Sequence, residues 1–337
     1  MLPTRIIFVR HGRSTYNDQG RYQGSSDQSV LTDHGHRTAQ LVGQALQAEK
    51  IDAIYASPLK RVQQTVDAIC DYLPHAKGAI ALRYDLREID LPAWEGLPYQ
   101  TVRTQQVEAY RCWIERPEEF QMARSANAEP SYPVRDLYAR AQQFWQDVLP
   151  RHVGKTLLVV SHGGTIHALI STALGLTPKQ HHCLQQSNCG VSVLECAAPT
   201  NAARLFQLND TGLIGELLPK LKAGKQGLRL LFLPIAPETP LNGVHTLLKS
   251  VHLDFSLQTS ELVNDFQSAQ LLRHHRETVQ LQVQRDDFVQ AWQQTLTMRQ
   301  QSEEMLVTGL AIASPAKVQD LLTQILGIAP VAKDSLT

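Results

Sequence analysis

Short, unbroken apolar runs, most of them stopping abruptly on polar or glycine residues, constrain this chain more than any other feature. RIIFV (5–9), IDAIYAS (51–57), TLLVVS (156–161) and VSVLEC (191–196) each have the length of a strand. Runs this continuous suit strands buried on both faces rather than on one. Helical patterns lie between them. LTDHGHRTAQLVGQALQAEK (31–50) opens on Thr32 and places Ala39, Val42 and Leu46 on one stripe. SPLKRVQQTVDAICDYL (57–73) offers Ser57 as helix cap and Pro58 at the first helical position. HGGTIHALISTALGL (162–176) is a glycine turn running into a helix. Strands alternating with helices predict an α/β fold: three layers, with helices covering both faces of a mostly parallel sheet. Residues 99–134 break the rhythm with aromatics, arginines and Pro117, Pro130 and Pro133, and read as an inserted cap.

Bulk properties narrow the function. At 337 residues two domains are expected, and PKLKAGKQG (219–227) reads as the linker between a first domain, 1–218, and a second, 228–330. Lys+Arg and Asp+Glu balance at 32 each, so no global field draws the protein to nucleic acid or to an acidic membrane. Affinity for an anion must be local. Five cysteines without a CxxC pair suit a reducing compartment. The first strand begins almost at residue 1, and no apolar run reaches the 18 or more residues of a membrane span. The expectation is a cytoplasmic protein.

The polar residues at the strand ends carry the chemistry. Open α/β sheets gather ligands at the carboxyl ends of their strands. Four such places converge here. Arg10 and His11 follow the first strand, Arg61 lies one turn past Ser57-Pro58, Glu88 and Asp90 fall in LREIDLPAWEGLP (86–98), and His162 with Gly163 follows the strand at 156–161. An Arg-His pair at a strand end is costly in a core, because both groups lose hydration.

In that order RHG, SPLKRVQQT, LREID with its WEG, and SHGG resemble the histidine phosphatase superfamily, also called phosphoglycerate-mutase-like, over roughly residues 4–215. The resemblance implies that His11 is a nucleophile that becomes phosphohistidine. It also implies that Arg10, Arg61 and His162 hold the phosphoryl oxygens with Asn17 as a further donor, and that Glu88 is the proton donor. Chemistry supports these roles. A neutral imidazole is nucleophilic near pH 7, guanidinium forks hold phosphoryl oxygens bidentately, and phosphoryl transfer is mostly positioning and charge stabilisation. The amides of Gly163 and Gly164, at a helix start, add an anion site. Crowding by Trp94 or Asp90 would favour a protonated Glu88, and Asp90 is the alternative acid. Glu95 shapes the turn and His167 is a structural helix residue. His181, His182, Cys183, Cys189 and Cys196 fit no zinc spacing, and His274-His275 reads as solvated. No metal or cofactor is expected.

The remainder repeats the pattern without its chemistry. LRLLFLPIAPETPLNG (228–243) lays Phe232 over Phe8, with Pro234 and Ile235 where Arg10 and His11 stand. HLDFSLQTSELVNDFQSA (252–269) echoes residues 50–67, with Val263 at the place of Arg61, and the segment from Glu304 to Ile328 echoes 155–176 without a histidine. A smaller, degenerate α/β copy is expected. The predicted activity is hydrolysis of a small phosphorylated metabolite, a sugar or sugar-acid phosphate. LREIDLPAWEGLPY and the long tail particularly resemble the branch that contains plant 2-carboxy-D-arabinitol-1-phosphatase. A mutase and a phosphate-binding scaffold are the rival readings. The intact set Arg10, His11, Arg61, Glu88 and His162 argues against the scaffold. Arg103, Arg111, Arg116 and Arg124 could meet a substrate carboxylate, although each alone reads as a surface charge. A homodimer through either domain is left open.

Overall fold

The structure is a computed structural model that describes residues 2–73, 80–123, 128–182, 184, 186–197, 202–216, 227–234, 253, 255–259, 279–283 and 306–313. The linker residues 219–226, Arg124, Cys183 and His274-His275 lie outside the described residues. The chain divides into two compact units, Met1–Pro219 and Lys220–Thr337.

The first unit is a three-layer α/β domain. Its strands are β1 (Thr4–Arg10), β2 (Ala53–Ala56), β3 (Ile80–Leu82), β4 (Thr156–Ser161), β5 (Val191–Ala197) and β6 (Ala202–Asp210), in sheet order β3-β2-β4-β1-β5-β6. The first four are parallel, whereas β5 runs antiparallel to β1 and β6 antiparallel to β5. The apolar run at 191–196 is therefore a strand of the opposite direction. Burial on both faces makes a run continuous whichever way it points, so direction is not encoded in it.

Side-chain alternation along β1 builds both outer layers. Ile7 and Val9 enter the cluster formed with α2 (Asp33–Leu46) and α3 (Lys60–Cys70), where Ala39, Val42, Val62 and Val66 are buried. Phe8 points to the other face and meets Trp145 of α6 (Pro133–Val148) edge-on at 6.1 Å. Trp145 donates its indole N–H to the Leu169 carbonyl of α7 (Gly163–Ala173), tying the two helices of that layer.

Helix starts follow local chemistry, with one displacement. Thr32 caps α2 by accepting from the Gly35 amide. The helix expected from Ser57 and Pro58 begins at Lys60, with Leu59 in the cap position and no side-chain cap. Ser57 stands three residues before that start, where its hydroxyl meets the Leu59 amide at 3.4 Å and His162 Nε2 at 2.8 Å. The region read as a cap contains α4 (Tyr99–Gln105) and α5 (Val107–Glu115), gathered around the fully buried Trp94 with Tyr22, Trp113 and Phe120.

The second unit contains a sheet of four parallel strands: β7 (Gly227–Pro234), β8 (Phe255–Thr259), β9 (Val279–Val283) and β10 (Leu306–Ala313). Its order, β7-β10-β8-β9, is the order β1-β4-β2-β3 of the first unit with the same sequence of connections. The registers agree as well. Phe232, Ala311, Leu257 and Leu281 form one row, as Phe8, Val159, Tyr55 and Ala81 do in the first sheet.

Candidate active site

The turn after β1 sets the centre of the site. Gly12 follows His11 because no side chain fits there: a Cβ on Gly12 would lie 2.5 Å from the Gly35 carbonyl oxygen at the start of α2. The Gly12 amide donates to the Thr65 hydroxyl at 3.0 Å, and its carbonyl accepts from His11 Nδ1 at 2.8 Å. A carbonyl can only accept, so Nδ1 carries the proton and Nε2 keeps the lone pair. That is the tautomer a nucleophile needs.

Around His11 the other predicted residues come together. His162 meets it ring to ring at 5.3 Å, and both are essentially inaccessible, at 0% and 1% exposure. Arg61, fully buried in the first turn of α3, donates to the carbonyls of Ser26 and Gly24 at 2.9 and 2.7 Å, while its Nε has no protein partner. Arg10 donates to the Gln186 carbonyl at 2.7 Å and likewise keeps a buried, unpartnered Nε. His162 holds Ser57 Oγ through Nε2 at 2.8 Å and leaves Nδ1 without a partner. Buried donors are rarely left unsatisfied in a finished protein, so three such nitrogens on residues that converge on His11 mark a place for an oxyanion. Burial holds His11 well below the usual imidazole range, with the charges of Arg10 and Arg61 adding to it and the Gly12 bond opposing. His162 is lowered in the same way, by burial first and then by Arg61. Both rings are neutral at pH 7.

Glu88 lies at the start of α7. Its carboxylate accepts from the Ile89 amide at 3.0 Å and from the Gly164 and Thr165 amides at 3.2 Å each. Gly164 is therefore not an open anion donor as expected, because Glu88 occupies its amide. The Gly163 amide stays available, and a Cβ on Gly163 would sit 3.3 Å from Arg10 Nε. Asp90 accepts from Ser25 Oγ at 2.8 Å, which fastens the loop that also supplies Gly24 and Ser26 to Arg61. Glu95 accepts from the Gly24 amide at 2.8 Å and braces the same loop. Trp94, expected to crowd Glu88, makes its ring contacts inside the cap and donates to Gln106. Among the described residues no three His, Cys, Asp or Glu side chains gather as metal ligands.

Several partners were invisible to motif reading. Asn188 donates to the His11 carbonyl and to Asn17 Oδ1, both at 3.0 Å. Asn17 is locked by a capping box with Ser14, a signal present in the Ser-Thr-Tyr-Asn spacing. Arg140 of α6 donates to the Arg87 and Glu88 carbonyls at 3.0 and 3.2 Å and so anchors the segment that carries the carboxylate. Nothing local in the α6 pattern marks Arg140.

The sequence model of the histidine phosphatase superfamily (branch 1) matches residues 6–210, more than half the chain and all of the residues above. The chain belongs to that superfamily. Within it, the chain is similar to a probable 2-carboxy-D-arabinitol-1-phosphatase of Arabidopsis thaliana, 38% identical over 66% of this chain and 45% of the relative. It is also similar to the wheat (Triticum aestivum) 2-carboxy-D-arabinitol-1-phosphatase, 41% identical over 57% and 37%. The chain thus spans less than half the length of these plant relatives. Phosphoserine phosphatase 1 of Hydrogenobacter thermophilus is 33% identical over 63% of this chain and 95% of its own. Among solved structures, YhfR of Bacillus stearothermophilus superposes with a TM-score of 0.55 at 25% identity, covering 63% of this chain and 99% of that one. Phosphoserine phosphatase of Entamoeba histolytica, bound to 3-phosphoglyceric acid, superposes at 0.53 and 24% identity, over 63% of this chain and 99% of that one, and supports the fold alone.

Proposed function

We propose that this protein is a phosphomonoesterase that hydrolyses a small phosphorylated metabolite in two steps through a phosphohistidine. The observation that carries the reading is the His11 imidazole, fixed as the Nδ1–H tautomer by Gly12 and set beside unsatisfied nitrogens of Arg10, Arg61 and His162. In the first step His11 Nε2 attacks phosphorus and the phosphorus–oxygen ester bond breaks. The leaving alkoxide takes a proton from Glu88. In the second step Glu88, now a carboxylate, takes a proton from water as its oxygen attacks phosphorus. The phosphorus–nitrogen bond breaks, releasing phosphate and restoring His11. Arg10, Arg61, His162 and the Gly163 amide hold the three equatorial oxygens, with the Asn17 amide at the rim.

The two plant relatives make sugar-acid phosphates the leading substrate class, with 2-carboxy-D-arabinitol 1-phosphate the first compound to try; the Hydrogenobacter relative adds phosphoserine. Rapid quench under alkaline conditions tests the mechanism: wild-type protein should retain acid-labile label on His11, and His11→Ala none. Turnover without label would overturn the covalent route.

The second unit is read as a catalytically silent copy of the first. Support comes from the shared strand order and registers, together with Pro234 at the end of β7 where β1 ends in Arg10. A full-length His11→Ala protein should therefore show no residual phosphatase activity.

A further inference from the structure

The cap holds an arginine that the proposed chemistry leaves idle. Arg103 lies on α4, four residues after Tyr99 and so on the same helix face. Tyr99 faces the catalytic floor: it lies within the electrostatic reach of Arg10, Glu88 and Arg103, with Asn17 beside it. Its ring stands edge-on to Tyr22 at 4.8 Å, and Tyr22 also senses Arg103. The half-buried Arg103 has its guanidinium carbon 5.7 Å from the centre of the Tyr110 ring. Its Nε is shielded from water and has no hydrogen-bond partner. The other cap arginines among the described residues are spoken for: Arg111 pairs with Glu108 and Arg116 with Glu119, both in exposed positions. Among the described residues no carboxylate pairs with Arg103.

A guanidinium with a dry, unsatisfied Nε, one tyrosine away from the phosphoryl site, is suited to a second oxyanion on the substrate, because its fork binds such groups bidentately. We propose that Arg103 is the specificity residue for a substrate that carries a second anionic group, a carboxylate or a second phosphoryl, beyond the scissile phosphate. This rests on the phosphatase reading and adds to it the residue that selects among its substrates. Tyr99 acts as the spacer. It stands one helical turn before Arg103 and is held edge-on against Tyr22.

The test compares kcat/KM for phosphoserine, 3-phosphoglycerate, a sugar bisphosphate and p-nitrophenyl phosphate in wild type, Arg103→Gln, Arg103→Lys and the exposed control Arg111→Gln. Arg103→Gln should lose about tenfold to a hundredfold on the doubly anionic esters, mainly in KM, and stay within about twofold on p-nitrophenyl phosphate. Arg103→Lys should recover part of the loss. Arg111→Gln should change neither. Carboxylate and phosphoryl recognition separate according to which esters lose most. Equal losses on all four substrates would mean a structural role and overturn the proposal, as would no loss on any. If wild-type protein hydrolyses none of them, the phosphatase reading falls. Calorimetric titration of phosphoserine and inorganic phosphate into wild type and Arg103→Gln then decides the matter: equal loss of both affinities, or no loss, overturns it, and selective loss for phosphoserine sustains it.

Discussion

Gly164→Ala isolates the placement of the proposed acid from everything else in the site. A Cβ at position 164 would lie 2.6 Å from Glu88 Oε1, and ordinary contact begins near 3.4 Å, so the oxygen must retreat by about 0.8 Å. Oε1 accepts from the Ile89 amide at 3.0 Å, the Thr165 amide at 3.2 Å and the Thr165 hydroxyl at 3.4 Å, and a retreat of that size disturbs this set. The helix itself does not suffer, since alanine is favoured over glycine in a helix by up to ~1 kcal/mol. Folding should therefore be unharmed while the carboxyl group moves. Misplacement of a reacting group by about 1 Å costs on the order of 10²-fold in rate. We expect kcat for phosphoserine to fall about 30- to 100-fold with KM within about threefold, because Arg10, Arg61 and His162 are untouched. Glu88→Gln should fall by about 10² to 10⁴, the usual general-acid contribution. With p-nitrophenyl phosphate, whose leaving group needs little protonation, the burst of the first step should be nearly preserved in both variants. Stopped-flow release of nitrophenolate with steady-state assays reads each quantity. A Gly164→Ala enzyme with wild-type kcat on phosphoserine would refute the assignment of Glu88 and return the role to Asp90.

Other expectations are open to simpler measurements. Ser57→Ala removes the partner of His162 Nε2 and should lower kcat/KM about tenfold for every phosphomonoester alike, whereas a change confined to one substrate would contradict the shared role of His162. Stability should fall on acidification. His11 and His162 are held neutral by burial and His181 is pushed down to about 3, while each titrates near 6.5 when unfolded, so below that pH the unfolded chain binds protons the folded one does not. The slope is about 1.4 kcal/mol per pH unit for each histidine, up to about 4 for the three. Inorganic phosphate should shrink it by favouring protonated His11 and His162. Melting curves that are flat between pH 7 and 5 would show that these rings are not buried neutral. Phe8→Ala, which empties the contact with Trp145, should cost about 3 to 5 kcal/mol in urea unfolding, and a loss below 1 would place Phe8 outside the core.

What the amino-acid order determined by itself was whatever depends on neighbours in the chain. Continuous apolar runs specify buried strands, Thr32 opens α2, and glycine after His11 permits the close approach to Gly35. The residues with distinctive chemistry were legible for the same reason: Arg10, His11, Glu88 and His162 sit where a strand or turn stops and Arg61 in the first turn of the helix that follows one, and they do come together in space. Tertiary structure decided what depends on partners distant in the chain. Whether β5 runs with or against β1 is invisible in a strand buried on both faces. Ser57 has the composition of a helix cap, yet its hydroxyl serves a histidine 105 residues away. Asn188 and Arg140 make their bonds across 177 and 53 residues, and Arg103 is singled out from Arg111 and Arg116 because a tyrosine ring rather than a glutamate stands against it. A side chain's pairing energy belongs to the residues folding brings against it, and sequence spacing holds that information only within a turn or so of the chain.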